Sequence, residues 1–138
     1  MSKTYDEQVS AYRTAGDWRS IIELYLSLDN EDRKSLHYAF DEAKSKLPQQ
    51  LALEAAAEAP ALEGSEKQVA WATDKLRPDV FAACIKFMTG PHYRRMSENE
   101  QAAFTAAFEQ IKQQTSAKWF IDARLLPLNA LEDLANAQ

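Results

Sequence analysis

Apolar residues return every three or four positions along almost the whole chain, and that spacing leaves few architectures open. It is the period of one helical face. A half-buried strand would alternate at every second residue, and no stretch does so convincingly. Only three glycines and five prolines interrupt 138 residues. The remainder is rich in Ala, Glu, Gln, Lys and Leu, which hold helices well. The expected fold is all-α: a compact helical globule of about eight helices. A chain of this length buries roughly two-thirds of its unfolded surface, enough for one ordinary core.

Caps and breakers place the helices. One runs from about Thr4 to Ala15 and stops at Gly16. Asp17 caps a second, with Trp18, Ile21, Leu24, Tyr25 and Leu28 on its face. Asp29 caps a third, striped by Leu36, Ala39, Phe40, Ala43 and Leu47. Pro48 stands where a first-turn proline is tolerated and is expected to open a new helix that ends before Pro60. "APALEG" reads as a linker. Ser65 and Gln68 form a capping box, and that helix is expected to end near Leu76, before Pro78. The next carries Phe81, Cys84, Ile85 and Met88 and is closed by Gly90-Pro91. Ser97 and Glu100 make a second box ahead of Phe104, Ala107, Phe108 and Ile111. "SAKWFIDARLL" forms a further helix, Pro127 breaks it, and Asn129 caps a short tail helix.

Two stretches align. "DNEDRKSLHYAFDEAK" (29–44) matches "SENEQAAFTAAFEQIK" (97–112), with Leu36 on Phe104, Phe40 on Phe108 and Lys44 on Lys112. Upstream, Trp18, Ile21, Ile22 and Tyr25 align with Phe81, Cys84, Ile85 and Met88. The chain therefore reads as an internal duplication of a three- to four-helix unit: a first helical repeat over 1–62 and a second over 63–138, within one compact structural domain. The second copy gains "GPHYRR" (90–95) as an extra loop.

Charge and chemistry narrow the function. The net charge is −5. Residues 1–64, with seven Lys/Arg against twelve Asp/Glu, carry all of it, and residues 65–138 hold nine of each. The acidic half disfavours broad nucleic-acid contact. One cysteine, Cys84, cannot form an internal disulfide and fits a cytoplasmic setting. "MSKTYDEQ" lacks a signal-peptide run, and no apolar segment approaches the ~20 residues of a membrane span. Two histidines, His37 and His92, and Cys84 do not have zinc-ligand spacing, so no metal is expected. Cys84 falls on a buried stripe, which argues for an inert thiol rather than a Cys84–His92 pair. No glycine-rich loop offers a phosphate cradle, and no cofactor is expected. Tyr93, Arg94 and Arg95 group on the extra loop, where they suit a carboxylate or phosphate partner or a solvated turn.

Trp71 is the anomaly. At about 100° per residue, Val69, Ala72 and Leu76 share a face and Trp71 lies about 160° from its middle. Either another helix covers it, the best candidate being the nearly all-apolar "AKWFIDAR" (117–124), or it anchors a partner.

"GSEKQVAWATDKLR" (64–77) followed by "SAKWFIDAR" (116–124) resembles a paired pattern of small phage, plasmid and other mobile-element proteins. The matching positions are Gly64, Ser65, Lys67, Gln68, Trp71, Ala72, Leu76 and Arg77, then Ala117, Trp119, Phe120, Ile121, Asp122 and Arg124. The resemblance covers the second half alone and implies a setting rather than a reaction. It favours a structural cluster of Gln68, Trp71, Trp119, Asp122 and Arg124 clamping two helices.

The expected function is non-enzymatic: a macromolecule-binding protein of a mobile element, acting by stoichiometric protein–protein contact as a counter-defence or regulatory factor. Tyr93, Arg94, Arg95 and Trp71 are the candidate partner-binding residues. The alternative is a nucleic-acid-associated accessory protein using Lys86, Arg94, Arg95, Lys112, Lys118 and Arg124. The sequence leaves oligomeric state open.

Overall fold

The computed structural model describes residues 2–138, with side chains from Tyr5 onward. The fold is all-α. Its helices are α1 (Ser2–Ala15), α2 (Trp18–Ser27), α3 (Asn30–Arg33), α4 (His37–Glu58), α5 (Glu66–Trp71), α6 (Arg77–Met88), α7 (Pro91–Arg94), α8 (Glu98–Lys112), α9 (Ala117–Ala123) and α10 (Pro127–Asn136). With the four-residue α3 and α7 set aside, eight helices remain among the described residues. No strand forms among these residues, only an isolated parallel bridge between Glu63 and Ser116.

The chain divides into two compact units, residues 1–50 and 51–138. The division falls inside α4, not at the linker near residues 62–63, because α4 continues through Pro48. A proline has helical φ and removes one hydrogen bond, a cost of about 3 kcal/mol in an interior turn. Here the ring is buried, and no new helix opens.

The first unit is organised around Tyr25. Gly16 takes φ +70° and ends α1. The Gly16 and Asp17 amides donate to the Arg13 and Tyr12 carbonyls, which is a Schellman closure. Asp17 then accepts from the Ser20 amide and caps α2. Val9, Ile21, Tyr25, Leu36, Ala39 and Ala43 form the core. Tyr25 stacks on Phe40 with centroids 3.8 Å apart, and its hydroxyl bonds His37 Nδ1 at 3.0 Å. Arg33 donates to the Tyr25 and Leu26 carbonyls, satisfying groups that the end of α2 leaves open. His37, exposed on its helix, thereby serves as a hydrogen-bond partner of the core tyrosine.

In the second unit, α5 and α6 are joined by a π turn, Ala72–Leu76, in which the Arg77 amide reaches the Ala72 carbonyl. The helix therefore does not end at Leu76. In a plain α-helix the ring of Pro78 would meet the Asp74 carbonyl. The wider turn opens the ladder where that conflict would arise, and Arg77 keeps helical φ and ψ of −63° and −49° although it precedes proline. Phe81, Phe120, Ile111, Leu131, Val80 and Cys84 fill the core. Phe81 meets Phe108 and Phe120 edge-on, at 5.7 and 6.1 Å.

The aligned stretches share some details and differ in others. Lys44 lies over the Phe40 ring and Lys112 over the Phe108 ring, each at 5.2 Å. Ile21 and Cys84, also aligned, are both fully enclosed. However, α1 and α2 are separated by the Gly16 closure whereas α5 and α6 run on, and a 3-10 turn at Lys34–Leu36 precedes α4 whereas α8 is unbroken.

Candidate partner-binding surface

The candidate surface belongs to the second unit and begins at the Ser65 cap. The Ser65 side chain accepts from the Gln68 amide while Gln68 Oε1 accepts from the Ser65 amide. Gly64 has φ +147°, and a Cβ there would lie 3.0 Å from Gln68 Oε1 and 3.3 Å from the Ala117 Cβ. Only glycine lets the linker pass this close to α9. The Glu63 amide donates to the Thr115 carbonyl at 2.6 Å and the Ala117 amide to the Glu63 carbonyl at 3.0 Å. Ser116 then caps α9 through the Trp119 amide.

This frame brings Trp71 beside the end of α9. The residue is 43% exposed, and the Arg124 guanidinium lies 5.2 Å from the centroid of its ring. Arg124 also donates to the Ile121 carbonyl. Of the five clustered residues expected from the sequence, two meet in this way. Gln68 is occupied by the cap, Asp122 pairs with Lys118 at 3.0 Å, and Trp119 packs edge-on against Phe120 at 5.1 Å. The short α9 explains this. It ends at Ala123, so only its buried side, Ala117, Phe120 and Ala123, is fully covered, and Lys118, Asp122 and Arg124 remain in solvent.

Two features of this region had no assigned role in the sequence. Arg77 is only 5% exposed. Its guanidinium donates to the Pro60 carbonyl at 2.6 Å, and burial lowers its pKa from the ordinary value. It remains charged at neutral pH. Secondly, Leu125, Leu126 and Leu128 stand 76%, 62% and 42% exposed where α9 turns into α10. The helix does not extend through the two leucines, and α10 starts at Pro127 with Leu126 at its cap, not at Asn129. The run "RLLPL" carried the signal: three leucines around a helix-starting proline cannot all face one core.

The 90–95 segment is less of a loop than its composition implied. Residues 91–94 form one helical turn. The Tyr93 hydroxyl donates to the Gln101 carbonyl at 3.2 Å while Gln101 Nε2 donates to the Tyr93 carbonyl at 2.9 Å, and the ring leans on Phe87 and Phe104. Arg94 is held by the Thr89 carbonyl at 2.9 Å. Arg95 is exposed and makes no side-chain bond among the described residues. Tyr93 and Arg94 thus fasten the segment, while Arg95 is presented outward. A cleft of about 420 Å3 opens beside them, lined by Ala83, Lys86, Phe87, Pro91, His92 and Leu128.

Neither the Cys84–His92 pair nor a metal-ligand group assembles among the described residues. Cys84 is fully enclosed, and burial pushes its thiol up to about 12. His92 stands exposed against Phe87, so the Cys84–His92 pair does not form. Among the described residues no group of His, Cys, Asp or Glu could hold a metal ion. No helix among them is long and apolar enough to cross a membrane. Comparison with protein-family models, with curated proteins and with solved structures finds no match.

Proposed function

We propose that this protein acts without a chemical step, by stoichiometric contact with another protein through its second unit. The observation that carries this reading is the set of large apolar groups left in solvent beside arginine: Trp71 under Arg124, followed by Leu125 and Leu126. Trp and Arg dominate interface hot spots, and apolar groups of this size gain most from being covered. The resemblance of residues 64–77 and 116–124 to mobile-element proteins supports a role as a counter-defence or regulatory factor in the cytoplasm of the host cell. A nucleic-acid role has less support. Of its six basic residues, Lys112 and Lys118 sit in ion pairs, Arg94 is bound to a carbonyl and Arg124 lies over Trp71.

The test is a photo-crosslinking residue at position 71 or 125, expressed in cells that carry the encoding element. One discrete protein adduct at each position supports the reading. Adducts to nucleic acid, or a gel shift that collapses with salt, would replace it with the accessory-protein alternative.

A further inference from the structure

The cleft beside the 90–95 segment is separate from Trp71, and the sequence marked it as an insertion in the second repeat. Ala83 and Phe87 supply its α6 wall, Pro91 and His92 the far wall, and Leu128 the rim. Phe87 is held in place by rings on two sides, Phe104 at 5.2 Å and Tyr93 at 6.3 Å. The small Ala83 leaves the space open. Its volume of about 420 Å3 lies within the ~300–1,000 Å3 range of sites that enclose a ligand. The lining does not suit a polar small molecule, because its only formally charged group is Lys86 and nothing converges to orient one.

The charge around it is net positive. Lys86 is exposed and forms no ion pair among the described residues, and Arg95 is likewise free. Arg94 and Arg95 follow the lining residues Pro91 and His92 within one short turn, and the Arg94 head is fixed at Thr89. No acid lines the cleft. On α10, Glu132 follows Leu128 by one turn and offsets one of the three charges. An apolar floor inside a net basic rim complements an apolar side chain with carboxylates on either side.

We infer that this cleft receives a leucine-like anchor from a partner protein segment whose flanks are acidic. The inference rests on the protein-binding reading above and names the chemistry of one contact. The measurement is fluorescence anisotropy with two labelled peptides, one with leucines flanked by glutamates and one with leucines flanked by lysines. The glutamate peptide is expected to bind at least about tenfold more tightly. The double variant Lys86→Glu, Arg95→Glu should invert the preference, Leu128→Ala should weaken both peptides, and Trp71→Ala should leave them unchanged. Both charged side chains are exposed, so circular dichroism should stay native; if it does not, Lys86→Gln with Arg95→Gln should abolish the preference instead. Equal affinities, no binding of either peptide, or a preference that survives charge reversal overturns the inference. Self-association that Leu128→Ala abolishes would also overturn it, by assigning the cleft to a second copy of the chain. In each of these cases a protein adduct at position 71 would leave the broader binding reading standing.

Discussion

An arginine laid over a tryptophan that is 43% exposed leaves part of the side chain available. A core aromatic truncated to alanine costs about 3–5 kcal/mol. Trp71 is 43% exposed, so Trp71→Ala should cost less, about 1–2 kcal/mol for a partial burial and an exposed cation–π contact. Chemical denaturation of Trp71→Ala and Arg124→Ala checks this, and a loss within the core range would make the tryptophan a structural clamp. Cys84 offers the opposite case. It should resist alkylation in the native protein, and Cys84→Ser should cost about 1–3 kcal/mol for a poorly satisfied hydroxyl, with binding intact. Arg77 is where residue type misleads. Arginine on a helix reads as surface, yet this one is buried on a backbone carbonyl, and Arg77→Ala should lose about 1.5–3 kcal/mol from that charged hydrogen bond alone. Burial of a single charged side chain depends on what the distant linker presents, and spacing along the helix does not encode that.

At the scale of the elements, local chemistry was legible. Asp17, Asp29, Ser65 and Ser97 all cap as their spacing implied, because a cap needs only the next three residues. The prolines were not. Pro48 and Pro78 both lie in continuous helical rods, because burial of the ring offsets the lost hydrogen bond in the first case and a π turn relieves the clash of the ring in the second. Pro78→Ala tests the second account: without the ring there is no steric reason for the wide turn, and a crystal structure of the variant should show Ala72–Leu76 returning to i→i+4 bonding. Gly64→Ala should destabilise by about 1–3 kcal/mol, since its backbone angle and its approach to Ala117 both exclude a Cβ. The candidate surface was legible in part. Trp71, Arg94 and Arg95 stood out by type, whereas the exposed leucines and the cleft arise where α9 stops short and α6, the 90–95 turn and α10 meet, which no single helical period foretells.

Considered as a whole molecule, the chain has two separate cores, one around Tyr25 and one around Phe81. The smaller first unit buries a smaller share of its surface and should unfold at lower denaturant. Trp18 reports on it once Trp71 and Trp119 are changed to Phe, and the converse variant reports on the second unit. Coincident transitions would show that the two cores cooperate. The bridge between Glu63 and Ser116 has a further consequence for this measurement. Its two backbone bonds join the start and end of a segment that contains α5 to α8, so neither can open while α9 stays docked on the linker. The amide protons of Glu63 and Ala117, although they sit outside any long helix, should therefore exchange with deuterium as slowly as those in the middle of α6. They should do so as a pair, acting as a clock for the opening of the entire second unit.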